Sequence, residues 1–374
     1  MGQRPGRLRQ RRHRLNVPST TNSPRSPPIS VVLVTGAATG IGNLTAVTLA
    51  RAGHTVYATM RDPAGRNAGH ADPLAQLGAD EHIDVRVVEL DVSSQASADR
   101  AVNTVLTDAG DLDVVIHNAG HLTVGYVESF TAEEIAHLID VNTLGVQRVN
   151  RAALPHLRTR GQGTLLYVGS TTSITTPPFL GPYVVSKAAM DYLAVTTAYE
   201  VGRLGVETVI VMPGAFTHGT EHFPNASRPA DTDGIATAYR SLDPLVARNE
   251  EATSSLFTAG TDADPQAVAD EITRILALPY GQRPFRAVVD FTNSDVEAAN
   301  QAVYDARADF VRRMGFGQLL DLATPATPAS SSPTPDSRLT RPGPPAQYQG
   351  VPRVPQPTPA DHRAPADLTA RSRR

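Results

Sequence analysis

Ser30-Val31-Val32-Leu33-Val34-Thr35-Gly36-Ala37-Ala38-Thr39-Gly40-Ile41-Gly42 runs from an apolar tetrad into a turn of small residues. Val31 to Val34 show no polar alternation, the pattern of a strand buried on both faces. The turn holds Gly36, Gly40 and Gly42 in the spacing G-x-x-x-G-x-G, and Asn43 to Ala52 then reads as a helix ending at Gly53. Strand, glycine-rich turn and helix in that order make a phosphate-binding unit. Small residues let the backbone approach a pyrophosphate, and the helix start offers unpaired N–H groups. The turn by itself is also compatible with a plain structural bend; its flanks favour a dinucleotide, with Gly36, Thr39, Gly40, Ile41 and Gly42 as its contacts.

The same grammar repeats outward. Further strands are expected at 54–60, 85–90, 113–116, 164–168, 207–212 and 285–291. Helices are expected between them: a short one at 73–77 in the polar connection 63–84, then 94–109, 132–158, 183–203, 267–278 and 295–313. Pro155 suggests a kink or an early stop near the end of the 132–158 helix. Apolar strands alternating with helices imply an α/β fold with a doubly wound parallel sheet of about seven strands, a Rossmann fold. Ligands of such sheets sit beyond the carboxyl ends of the strands. Arg61, Asp91, Val92, Asn118, Ala119, Gly120, Ser170, Pro213 and Gly214 all fall at those ends. Residues 215–262 have weak periodicity and are expected to form a substrate loop or lid.

The second strand ends in Met60-Arg61-Asp62. A basic residue there accommodates a 2′-phosphate and points to NADP, whereas Asp62 keeps NAD open. Tyr183 and Lys187 lie four apart, so a helix would project both from one face. A positive charge within about 4–6 Å stabilises a phenolate and tunes the phenol for general acid–base work. Lys187 is the only lysine among the 34 lysines and arginines of the chain. An amine kept at one position differs from a guanidinium in that it can give up its proton. Y-x-x-x-K is also a common accident on exposed helices, and needs the other motifs beside it.

Together TGAATGIG at 35–42, HNAG at 117–120, Asn142, Ser170, Tyr183-x-x-x-Lys187 and Pro213-Gly214 resemble the short-chain dehydrogenase/reductase family, in its main single-domain branch, over about residues 30–316. His117 departs from the family's usual Asn, and Asn43-Leu44 follow the glycine turn where small or basic residues are common. The resemblance implies an NAD(P)-dependent enzyme acting on CH–OH and C=O groups. Tyr183 would exchange the proton with the substrate oxygen. Lys187 would lower the tyrosine pKa and hold the nicotinamide ribose. Ser170 would orient the substrate oxygen, and Asn142 would position a water linking Lys187 to solvent. Pro213, Gly214 and Thr217 would face the nicotinamide, with Thr220 an alternative to Thr217; Asp91 and Val92 would border the adenine. Homodimers or homotetramers through the helices near 132–158 and 183–203 are implied as well. A cofactor-sensing regulator, an epimerase or lyase retaining its NAD, and an interaction protein acting through its tails are the competing readings.

The ends differ from this core. Residues 1–30 hold seven arginines and no acidic residue, and 324–374 hold seven arginines, three aspartates and many prolines, so the net charge of −3 leaves −14 on residues 31–323. Both tails, 1–29 and 324–374, are expected to be disordered around a single catalytic domain at 30–320. An acidic core is not a nucleic-acid binder. The apolar runs are strand-sized and no cleavable leader follows Arg11-Arg12, so neither membrane nor export is expected. With no cysteine there is no thiolate metal site, in keeping with a reducing cytoplasm. His218 and His222, spaced i, i+4 about Glu221, lack a further ligand cluster, and no metal is expected.

Overall fold

A computed structural model describes residues 29–220, 222–230, 234–257 and 260–323. The expected disorder of the tails falls on 1–28 and 324–374, outside these residues, as does Glu221. Seven parallel strands form one sheet: β1 (Val31–Val34), β2 (Thr55–Met60), β3 (Val85–Glu89), β4 (Val114–His117), β5 (Gly163–Val168), β6 (Val206–Pro213) and β7 (Arg286–Val289), in the order β3-β2-β1-β4-β5-β6-β7. The expected doubly wound Rossmann sheet is therefore present. Its direction of winding reverses between β1 and β4, where the two strands pair in register Val32 to Val114 and Val34 to Ile116. The turns after those two strands consequently open a crevice between them.

Each strand divides its side chains between two cores. Val32, Val34, Val56 and Ala58 pack with Leu49 of α1 (Gly40–Arg51) on one face. Leu33, Tyr57, Val115 and Leu165 pack on the other, with Val102 of α3 (Gln95–Ala109), Val149 and Met190. Continuous apolar runs are required because both faces of every central strand are covered. Ser94 caps α3, its hydroxyl accepting from the Ser97 N–H at 3.3 Å, which satisfies one of the open donors of the first turn.

Two helices differ from expectation. The short helix expected at 73–77 is α2 (Ala68–Glu81), with Pro73 inside it. Ala71, Leu74 and Gly78 form its buried stripe, and burial of that stripe outweighs the single backbone hydrogen bond a proline removes. The expected 132–158 helix is broken into α4 (Ala132–Ile139) and α5 (Gly145–Arg160) by a π turn at Asp140–Leu144. Pro155 does not stop α5, which ends at Gly161, a residue with a φ of 69°. The π turn carries Asn142 into the interior.

After β5 come the single turn α6 (Thr172–Thr175) and the long α7 (Gly181–Val201). The segment after β6 holds a 3-10 turn at Ile235–Leu242, α8 (Asp243–Ala247) and α9 (Asn249–Ser254) before α10 (Gln266–Leu276) and α11 (Val296–Arg313). It is tied down across the β4 turn: Val124 donates to the Ser227 carbonyl and Ser227 to that of Leu122, each at 2.9 Å. Tyr239 also stacks on Tyr126, ring centroids 4.8 Å apart. Among the described residues no helix is long and apolar enough to cross a membrane.

Candidate active site

The glycine turn uses its three glycines differently. A Cβ on Gly36, whose φ is +66°, would stand 2.8 Å from the Ala119 Cα, and one on Gly42 would stand 2.3 Å from both Asn118 Nδ2 and the Gly36 carbonyl oxygen. Those two glycines let the β1 turn close against the β4 turn. Asn118 completes the closure by donating to the carbonyls of Thr35 and Gly36, each at 3.0 Å. The Thr35 hydroxyl accepts from the N–H groups of Asn118 and Ala119 at 2.9 and 3.0 Å. Gly40 faces open space, with Thr220 Cβ at 3.9 Å the nearest atom to its missing side chain. It opens α1, and the Thr39 side chain makes no capping bond. The first N–H groups of a twelve-residue helix are left to an anion, so the turn fits a dinucleotide pyrophosphate.

At the tip of β2, Arg61 is exposed and has no ion-pair partner among the described residues. Asp62, with a φ of 44°, turns its carboxylate back to the Arg66 N–H at 2.9 Å. At the tip of β3, burial raises the Asp91 pKa, but the Ser93 hydroxyl and N–H, at 2.7 and 2.9 Å, outweigh it with the charges of Arg61 and Arg148, and the net shift is downward. Val92 is buried against Gly145, where a Cβ would come within 2.9 Å of it.

Four further side chains meet beyond β4 and β5. Ser170 follows the last residues of β5, and its oxygen accepts from the Thr172 hydroxyl at 2.8 Å. Tyr183 and Lys187 leave one face of α7, both buried, with the Lys187 ammonium 5.9 Å from the Tyr183 ring centre. Asn142 donates to Ser186 Oγ at 3.0 Å and brackets His121, accepting from its N–H and donating to its carbonyl, each at 3.0 Å. Gly120 leaves the space between: a Cβ there would lie 3.1 Å from Asn142 Oδ1 and 3.8 Å from Lys187 Nζ. Burial pushes the Tyr183 hydroxyl up to about 12, against the opposing hydrogen bond with Ser170. Burial also pulls Lys187 down to about 8. In the protein alone, desolvation therefore dominates the neighbouring charge expected to lower the phenol.

Pro213 ends β6 and its carbonyl accepts from Thr171 N at 2.9 Å, while Gly214 N donates to Val289 at 2.8 Å. A Cβ on Gly214 would lie 2.0 Å from Asp290 Oδ1, so this turn is held close to β7. Thr217 is half-buried on the same segment.

The family profile described as short chain dehydrogenase matches residues 30–229. The chain belongs to that family. It is an oxidoreductase with an NAD(P)-binding Rossmann fold. It is 32% identical over 189 residues to a 3-ketodihydrosphingosine reductase of Bacteroides thetaiotaomicron, covering 50% of this chain and 65% of that one. An uncharacterised oxidoreductase, YusZ, of Bacillus subtilis is 30% identical over 250 residues, covering 66% and 84%. Among solved structures, an alcohol dehydrogenase of the archaeon Thermococcus sibiricus complexed with 5-hydroxy-NADP superposes with a TM-score of 0.55 at 26% identity, covering 71% of this chain and 97% of that one.

Within this short-chain dehydrogenase the structure adds residues that the sequence did not single out for the site. His222 sets its ring edge-on to Tyr183, centroids 6.0 Å apart. His121 is fixed by Asn142, and its ring tilts against that of His137 at 6.2 Å. The sequence offered His222 only as half of an i, i+4 metal pair with His218. His218 instead sits 3.5 Å from Asp262, and no group of three metal-ligating side chains exists among the described residues. The one signal pointing to His121 was its place directly after HNAG. Thr220 rather than Thr217 is the threonine beside Gly40.

Proposed function

We propose that the protein interconverts a ketone and a secondary alcohol, preferring NADP(H), with Tyr183 as general acid and base. The observation that carries this reading is the meeting of Ser170, Tyr183 and Lys187 in one buried space beside an uncapped, glycine-opened helix start. The nicotinamide cofactor supplies the hydride. Gly40, Ile41 and the start of α1 would hold its pyrophosphate, Arg61 a 2′-phosphate, and Asp91 and Val92 would border its adenine. Thr39, Asn118, Ala119, Gly120, Pro213, Gly214 and Thr217 would line the groove between.

The proton is the chain's own task. Ser170 donates to and orients the substrate oxygen, and Tyr183 gives that oxygen a proton in reduction and takes it in oxidation. Lys187 holds positive charge beside the phenol, and Asn142 fixes the surrounding backbone while positioning the water that would resupply the proton. A phenol near 12 and an amine near 8 are poised in opposite directions, so positive charge brought close to the phenol moves it toward neutral pH. The test is NADPH and NADH consumption with a panel of ketones. Absence of turnover with every carbonyl, in protein that binds the cofactor, would favour a sensing role instead.

A further inference from the structure

Two histidines stand beside the acid–base pair with no assigned task. His222 reaches the site from the segment after β6 and meets the Tyr183 ring at 6.0 Å and 81°. Its ionisation is influenced by Lys187 and His121, so these groups share one space. His121 starts from a backbone that Asn142 clamps on both its N–H and its carbonyl. Neither imidazole has a hydrogen-bond partner among the described residues. The Tyr183 ring that His222 meets packs in an apolar cluster with Leu122, Val124 and Leu180, and Phe223 lies against it. Donors without protein partners beside an apolar cluster and a reacting phenol are a usual means of orienting a ligand.

The chemistry of that ligand follows from the charges. His121 is half-buried and His222 exposed to solvent; the protein crowded around the rings, and then the positive groups nearby, lower both, so at neutral pH each ring is uncharged and offers one N–H donor. Among the described residues the groups that act on them are Lys187, His137, Arg61 and each other, all cationic or cation-forming, with no carboxylate. A donor in a positive field suits an oxygen acceptor and disfavours an ammonium.

Resting on the oxidoreductase reading above, we infer that His222, seconded by His121, binds a second oxygen of the substrate a few bonds from the carbonyl served by Tyr183. The preferred substrates are then ketones that carry a carboxylate, ester or amide oxygen near the reacting carbon.

The test measures NADPH oxidation by the wild type, His222→Phe and His222→Gln on a 4-oxo carboxylate, its methyl ester and the alkyl ketone of equal length. In the wild type, kcat/KM for the carboxylate or the ester exceeds that for the alkyl ketone by about 10-fold, the worth of one net hydrogen bond. That preference collapses in His222→Phe through KM, and returns in His222→Gln, which keeps an N–H donor. A preference for the carboxylate alone identifies a charged group, and a preference for both a neutral acceptor. No preference in the wild type, an unchanged preference in the Phe variant, or no restoration by Gln overturns the inference and leaves the oxidoreductase reading standing. No NADPH oxidation with any of the three, while other ketones of the panel are turned over, overturns the inference alone; none with any carbonyl of the panel brings down both.

Discussion

Lys187 Nζ donates to the Val168 carbonyl over 3.0 Å, tying α7 to the last residue of β5. The bond holds a cation in a space where burial has already pulled its pKa from 10.5 to about 8. Keeping that charge folded costs about 3 kcal/mol by linkage. Lys187→Met is therefore expected to be more stable at pH 7 by up to about 3 kcal/mol in urea unfolding, less the lost hydrogen bond of about 1 kcal/mol, while turnover disappears. Because the unfolded lysine holds its proton longer, wild-type stability rises between about pH 8 and 10.5, and the Met variant lacks that rise. A less stable Met variant would mean the ammonium is better solvated than its burial implies.

Tyr183→Phe removes the phenol oxygen and keeps the ring, which packs with Leu122, Val124, Leu138 and Leu180. Fold and cofactor affinity should be retained, and kcat should fall by about 10²–10⁴-fold, the usual worth of an acid–base group. Single-turnover rates and a fluorescence titration with NADPH separate the two. Wild-type turnover in the Phe variant would remove Tyr183 from the chemistry.

Much of this was legible in the sequence because short-range patterns carried it. The buried strands announce themselves as apolar runs, and the turn at 35–42 is fixed by where a Cβ cannot fit, as at Gly36 and Gly42. The π turn at Asp140–Leu144 was not legible, since Asn142 reaches Ser186 and His121 through tertiary contacts that leave no period in the chain. The raised phenol of Tyr183 was missed for a related reason. Spacing places the ammonium, but only packing decides how much water both groups lose. His222 was hidden because its segment is positioned by the Ser227 bridge to Leu122 and Val124, across about 100 residues of sequence.

His117, where the family most often has Asn, is a second buried base. It stacks on Tyr167 at 4.7 Å, and among the described residues neither ring nitrogen has a hydrogen-bond partner. Burial lowers its pKa to about 4, so the folded ring stays neutral while the unfolded one charges below 6.5. The sign follows: the unfolded state binds more protons between those values, and stability is lost as pH falls from about 6.5 to 4, by about 3 kcal/mol. His117→Asn should remove this part of the acid sensitivity. Comparing the pH slopes of the two unfolding free energies checks it, because a change of packing shifts the curve without altering its slope. Parallel curves would show that His117 is protonated in the fold.

On the reading proposed above, Arg61 is the residue that would decide between the cofactors. Its side chain is exposed, has no ion-pair partner among the described residues, and stands at the strand tip while the Asp62 carboxylate is occupied by the Arg66 N–H. A guanidinium in that place offers a fork of donors to a phosphate, worth about 1.5–3 kcal/mol for a charged hydrogen bond. Arg61→Ala should therefore raise KM for NADPH by about 10–100-fold and leave KM for NADH nearly unchanged, with kcat unaffected for both. Because the site is open to water, the wild-type preference should shrink with added salt as the Debye length falls from about 10 Å at 0.1 M to about 3 Å at 1 M. The Ala variant should show little of that salt dependence. If instead both cofactors weaken together, Arg61 acts on the shared adenosine and not on a 2′-phosphate; if neither weakens, the choice of cofactor lies elsewhere in the groove.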